Sequence, residues 1–160
     1  PMIRKIQPLD HDFVYHSWLH SVKCPTRMVT TMTRKLIDDV VSKEQVSIYC
    51  PDGDPDHIIG WASWGKLEDT PVLHFVFVKK DFRQNGIGTE LLRSIFPKKN
   101  STIFTTFWSF HTQQMNAKDK WGLKFRSHLL PTVIFEIMDR EVRAALRAIG
   151  KTTEAPMLIQ

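Results

Sequence analysis

One stretch constrains this chain more than any other. The apolar run Val72–Val78 leads through Lys79-Lys80-Asp81-Phe82 into the turn Arg83-Gln84-Asn85-Gly86-Ile87-Gly88, and the amphipathic segment Thr89–Phe96 follows, stopped by Pro97. A short, nearly continuous apolar run reads as a strand buried on both faces, and the segment after the turn reads as a helix. The R-x-x-G-x-G spacing between them favours an anion. Glycines let the backbone approach a ligand closely, and the N–H groups at a helix start point outward with the positive end of the dipole. Arg83 adds a side-chain charge. The spacing is not that of other phosphate loops. G-x-G-x-x-G is absent, and near the Walker-like Gly60-Trp61-Ala62-Ser63-Trp64-Gly65-Lys66, Leu67 stands where a Ser or Thr is required.

The rest of the chain supplies one ordinary globular domain around this unit. It has 160 residues, 42% hydrophobic and 24% charged, enough to bury a core without disulfides or metals. We expect a single domain over residues 2–160, with Pro1 a remnant of tag cleavage ahead of the natural start at Met2. No run reaches the ~20 apolar residues of a membrane span, and charge interrupts the N-terminus within a few residues, so no signal core is expected. The two cysteines, Cys24 and Cys50, form no CxxC and read as free thiols of a reducing compartment. The expected location is cytoplasmic. The net charge of +5 suits anionic ligands, phosphorylated cofactors and nucleic acid alike.

Periodicity predicts the order β-α-α-β-β-β-α-β-α-β-β-α, a mixed α+β or α/β fold whose first half is largely antiparallel. The elements are a strand at Ile3–Ile6, a helix over about His11–Val22 capped by Asp10, and a helix at Thr31–Ser42. Strands follow at Val46–Cys50, His57–Lys66 and Val72–Val78. After the Thr89–Phe96 helix come a strand at Ser101–Trp108, a helix at Thr112–Lys120, strands at Leu123–Leu130 and Thr132–Ile137, and a last helix at Asp139–Ile149 ended by Gly150.

The strand, the turn Arg83–Gly88 and the helix continuing through Thr89-Glu90-Leu91-Leu92 resemble the signature of the GNAT superfamily of acyl-CoA-dependent N-acyltransferases. Ile58-Ile59-Gly60-Trp61-Ala62 is similar to that family's I-x-G third strand. Phe13–Lys23 more faintly resembles small bacteriophage members. The resemblance implies a GNAT-like fold, with a central mixed sheet of about six to seven strands flanked by helices. It implies acetyl-CoA as co-substrate, no metal, and acetyl transfer to a primary amine by direct attack. Backbone amides of Arg83, Gln84, Asn85, Gly86, Ile87, Gly88 and Thr89 would hold the CoA pyrophosphate. The pantetheine arm would pair with the strand at Val76 and Val78.

Catalytic groups are harder to place. Val72, His74, Val76 and Val78 share a strand face by the period of two, and His74 is the titratable group among them, suited to a general base. The family's later-helix tyrosine is missing: Lys118 stands in its place, and Tyr15 and Tyr49 are remote in sequence. His111 is the candidate proton donor instead. The acceptor amine is not legible, nor is the oligomeric state.

Other constellations read as structural. Asp12, His16 and His20 sit at i, i+4 spacing, but no further strong ligand suggests a metal. Asp52, Asp54 and Asp56 resemble a calcium loop with Ser63 at the twelfth position in place of Glu, so a turn accounts for them. Cys24 lies near Lys23 and Arg27 but lacks a His or Asp partner. Arg140, Arg143 and Arg147 form a basic helix face. Two other functions are therefore carried forward: a GNAT scaffold serving as an interaction or structural protein, and a basic nucleic-acid-binding module, the latter not expected because no aromatic–basic alternation is present.

Overall fold

A computed structural model describes residues 1–22, 26–67, 70–97, 102–107, 110–119, 121–126 and 144–150. The elements are β1 (Met2–Lys5), α1 (His11–Ser21), α2 (Arg27–Lys43), β2 (Gln45–Cys50), β3 (Gly60–Leu67), β4 (Thr70–Val78), α3 (Ile87–Ile95), β5 (Ile103–Thr105), α4 (Phe110–Asp119) and β6 (Leu123–Phe125). The expected strand at Thr132–Ile137 lies outside the described residues, as do the start of the last helix and Cys24. Residues 144–148 are helical, and Gly150 follows with φ +73°.

The strands form one six-stranded sheet in the order β1-β2-β3-β4-β5-β6. Neighbours from β1 to β4 are antiparallel, and β4–β5 and β5–β6 are parallel. The change has a simple cause. Connections without an α-helix return the chain antiparallel from β2 through β4, and the helix pair α1 and α2 does the same between β1 and β2, whereas the single helices α3 and α4 carry it back across the sheet before β5 and β6.

Each face of the sheet has its own core. Under α1 and α2, Val14, Trp18, Ile37 and Val40 meet Val46, Ile48, Trp61 and Phe75. On the other face Leu91, Leu92 and Met115 pack against Ala62, Leu73, Val76 and Val78. The buried positions of α2, Leu36, Ile37, Val40 and Val41, follow the helical period. Gly60 is required where β3 crosses β4, since a Cβ there would lie 2.8 Å from the Phe77 carbonyl.

Several boundaries move from their expected places. α2 begins at Arg27, ahead of Thr31. Thr30 and Thr31 fit the helix because their hydroxyls donate to the carbonyls of Thr26 and Arg27, each at 3.0 Å. β3 begins only at Gly60, after a turn in which the His57 N–H bonds the Asp54 carbonyl. Asp10 does not cap α1 with its side chain. Its carboxylate instead takes two hydrogen bonds from Arg4, at 2.6 and 3.0 Å, and one from the Gln7 N–H at 2.7 Å. The Arg4 guanidinium holds the buried Asp10 carboxyl below the usual carboxylate range, against the opposing effect of desolvation.

Candidate active site

The turn after β4 is shaped by its own backbone. Residues Lys80–Phe82 make one 3-10 turn, Gln84 adopts φ +66°, and Gly86 adopts φ +78° as the residue preceding α3. The first bond of the helix joins the Glu90 N–H to the Gly86 carbonyl at 2.9 Å, so the amides of Ile87 and Gly88 precede the intrahelical ladder. α3 thus starts at Ile87, two residues before the expected Thr89, and Gly88 is buried in its first turn. Arg83 through Gly86 are exposed, and Thr89 is half-buried. The Arg83 Nε donates to the Val78 carbonyl at 2.8 Å, tying the turn to the strand that leads into it.

β4 meets β5 for only two register pairs, Val72 with Phe104 and Leu73 with Thr105. One further bond, from the Thr106 N–H to the Leu73 carbonyl at 3.0 Å, closes the contact. β4 continues to Val78 without a partner strand on that side among the described residues. The Lys79 N–H donates to the Ile59 carbonyl, so by alternation Phe77 and Phe75 direct their backbone groups toward β3. Those of Val76 and Val78 therefore point to the opposite, open edge. This edge runs directly into the Gly86 turn.

The pairing of β3 with β4 contains a bulge. Ser63 lies opposite Phe75 while Trp64 lies opposite Leu73, which leaves His74 as the extra residue. The bulge overturns the expected shared face of Val72, His74, Val76 and Val78. Leu73, three residues before Val76, packs with Val76 and Val78 under α3, while Phe75 faces α1 and α2. The His74 ring belongs to neither apolar cluster. It is 1% exposed, its Nδ1 is 2.8 Å from Thr106 Oγ1, and its Nε2 is 3.7 Å from Glu44 Oε1. Sequence reasoning missed Glu44 and Thr106, because each lies some thirty positions from His74 and neither belongs to a motif.

His111 and Lys118 both lie in α4. That helix is fixed to β6 by Asn116, whose carboxamide accepts the Leu123 N–H at 2.9 Å and donates to the Leu123 carbonyl at 3.3 Å. Tyr49 belongs to the buried cluster on the α3 face of the sheet. It packs beneath α3, where burial first, and then the Glu90 carboxylate that accepts from it, push its pKa up to about 12. Cys50 is buried and free, and burial raises its thiol pKa, which marks it as inert. Asp12, His16 and His20 line a cleft of about 550 Å³ together with Phe13, Ser17, Ser21 and Phe77, between α1 and the far end of β4. Among the described residues no group of three metal-ligating side chains occurs, and no helix is long and apolar enough to cross a membrane. Arg140 and Arg143 fall outside the described residues.

The family model described as the Acetyltransferase (GNAT) family matches residues 14–117. No curated protein sequence matches the chain. Among solved structures, one described as histone acetyltransferase HPA2 and related acetyltransferase, from Corynebacterium glutamicum, is similar with a TM-score of 0.53 at 14% identity, covering 74% of this chain and 82% of that one. The aminoglycoside N-acetyltransferase AAC(6')-Iy in complex with CoA is similar with a TM-score of 0.50 at 14% identity, covering 77% and 87%. A GNAT family acetyltransferase from Brucella melitensis, in complex with acetyl-CoA, has a TM-score of 0.48 at 15% identity, covering 71% and 80%. At these identities the likeness is one of fold: a mixed six-stranded sheet flanked by helices, of the GNAT type. None of these matches supports the bacteriophage likeness of Phe13–Lys23.

Proposed function

Because the chain belongs to the acetyltransferase (GNAT) family, we propose that residues 2–160 form one acyltransferase domain that moves an acetyl group from acetyl-CoA to a primary amine. The observation that carries this reading is the open edge of β4 leading straight into the Gly86 turn. An extended thiol arm pairs with a strand edge through main-chain groups, and a diphosphate sits on amides at a helix start. The fit is specific. Arg83 already occupies the Val78 carbonyl, so the arm is left the Val76 N–H and carbonyl and the Val78 N–H. The Arg83 N–H, included in the expected set, bonds the Lys80 carbonyl at 3.3 Å, so the pyrophosphate meets the amides from Gln84 to Thr89, with the Arg83 charge beside them.

His74 is the base of the proposed reaction. It removes one proton from the acceptor ammonium, the amine lone pair forms the C–N bond, the C–S bond breaks, the nitrogen releases a second proton to solvent, and the departing thiolate takes up one proton. Products are an N-acetyl amide and CoA. The cleft between α1 and Phe77 is the proposed approach for the acceptor, with the exposed Asp12 carboxylate as a partner for an ammonium group. His111, on α4, is the alternative donor to the thiolate.

Thermal denaturation with acetyl-CoA, CoA and ATP tests the cofactor assignment. A ligand at ~100 times its Kd adds about 2.7 kcal/mol, or roughly 5–10 °C for a domain of this size. Equal shifts with both CoA forms and none with ATP are expected. No shift with either CoA form, or an equal one with ATP, overturns the assignment.

A further inference from the structure

The one residue of β4 that the bulge leaves without a partner on β3 is an imidazole approached from both ends. Thr106 Oγ1 lies 2.8 Å from His74 Nδ1, and Glu44 Oε1 lies 3.7 Å from Nε2. Thr106 is buried just past the end of β5. Glu44 immediately follows α2, where its N–H closes the last turn on the Val40 carbonyl at 2.9 Å. Its carboxylate is three-quarters covered, at 25% exposure, and rests against β3 at Gly65. A Cβ at Gly65 would collide with Glu44 Oε2. Four separate parts of the chain therefore converge on this line. Glu44 is the carboxylate that faces the ring, within 4 Å of Nε2.

We propose that Glu44 is the positioning residue that sets the proton on His74, making Glu44, His74 and Thr106 one buried acid–base line. Its use in acetyl transfer rests on the function proposed above, but its geometry does not. An ionised carboxylate only accepts hydrogen bonds, so the ring nitrogen facing it carries the hydrogen. Nδ1 of the neutral ring then accepts, and the Thr106 hydroxyl donates. At 3.7 Å the carboxylate acts on the ring through charge rather than as a formed hydrogen bond.

The proton inventory balances. The acceptor ammonium gives a proton to Thr106 Oγ1 as the Thr106 proton passes to His74 Nδ1. That leaves a neutral amine, an intact hydroxyl and an imidazolium facing Glu44. After the C–N bond has formed and the C–S bond has broken, the nitrogen releases its second proton to solvent and the imidazolium returns the first through the same hydroxyl to the thiolate. One ring serves as base and then as acid, the second being the role for which this chain lacks a tyrosine. A second polar atom supports a ligand at this place. Ser63 Oγ, on the same face as Trp61 by alternation and opposite the bulge, is buried like His74 Nε2, and neither has a hydrogen-bond partner among the described residues.

The test begins with the free protein labelled with ¹⁵N-histidine and held where the rings are neutral. The His74 nitrogens should report the Nε2–H tautomer, and Glu44→Gln should shift the population toward Nδ1–H. Kinetics then follow with acetyl-CoA and phenethylamine, a tetrapeptide and spermidine as acceptors. Glu44→Gln and Thr106→Val, both near-isosteric and checked by thermal melts, should each lower kcat on the order of 10–100-fold. KM for acetyl-CoA should stay within about twofold, and Glu44→Asp should recover part of the loss. Nδ1–H in the parent protein, or an unchanged kcat in Glu44→Gln, overturns the proposal. A parent protein that acetylates no amine overturns the acetyltransferase function, while the tautomer still decides whether Glu44 sets the proton.

Discussion

The Nδ1 of His74 and the Oγ1 of Thr106 lie 2.8 Å apart, so one side-chain hydrogen bond spans β4 and β5 at the point where their backbones part company. Beyond it β4 stays paired with β3 on one side, has no partner strand on the other among the described residues, and runs toward the Gly86 turn. The bond therefore marks the inner end of the open edge. The predictions below probe that edge, the turn and the elements that hold them.

Gly86→Val should remove the acetyl-CoA-dependent thermal shift while leaving a folded protein. No atom lies within 4 Å of a Cβ at Gly86, but φ is +78°. The penalty is thus one of backbone conformation, about 1–2 kcal/mol, which either lowers the melting temperature by a few degrees or reshapes the turn. Retention of the full CoA shift would contradict the role given to this turn.

Gly65→Ala should impair catalysis with little change in stability. The added methyl displaces the Glu44 carboxylate, the mobile end of a long side chain, so the expected loss of stability stays below about 1 kcal/mol. Turnover should fall as it does in Glu44→Gln. Unaltered turnover, with the carboxylate shown to have moved, would separate Glu44 from the chemistry.

Asp10→Asn should cost about 2–4 kcal/mol near neutral pH by leaving the mostly buried Arg4 guanidinium without its charged partner. The Asp10 pKa is lowered in the folded state, chiefly by the hydrogen bond from Arg4. Its contribution is thus complete above the unfolded-state value of about 3.9 and is lost as pH falls through the lower folded value. Urea melts at a series of pH values should show the gap between variant and parent constant at pH 6–8 and closing below about pH 4.

Tyr49→Phe should protect against alkaline unfolding. The folded-state pKa of Tyr49 is about 12, raised by burial and by Glu90, against about 10 in the unfolded chain. Its neutral form stabilises the fold fully below pH 10. That contribution falls by about 1.4 kcal/mol per pH unit between the two values. The parent protein should lose stability relative to the variant over pH 10–12, and parallel profiles would show that the hydroxyl is not held by this burial.

The order of elements along the chain and the turn were legible because their signals are local. The apolar run of β4, the glycine at position 86 and the helical period after it lie within a few residues of one another, and each follows from backbone sterics or from which face must leave water. The same holds for α1 and α2, where Val14 and Trp18, and Leu36, Val40 and Val41, recur with the helical period and are buried. The arrangement around His74 was not legible. Period-two reasoning placed it on one face with Val76 and Val78, and the bulge against Ser63 undid that alternation. A bulge is a property of two strands in register, and no residue of β4 announces it. Likewise nothing near Glu44 in sequence points to an imidazole thirty positions away. The sequence by itself determined where the chain turns, which segments bury their side chains and where a glycine turn opens a helix. Only the tertiary structure decided which polar side chains share the interior, because that depends on how α2, β3, β4 and the end of β5 pack together and on the space left by Gly65.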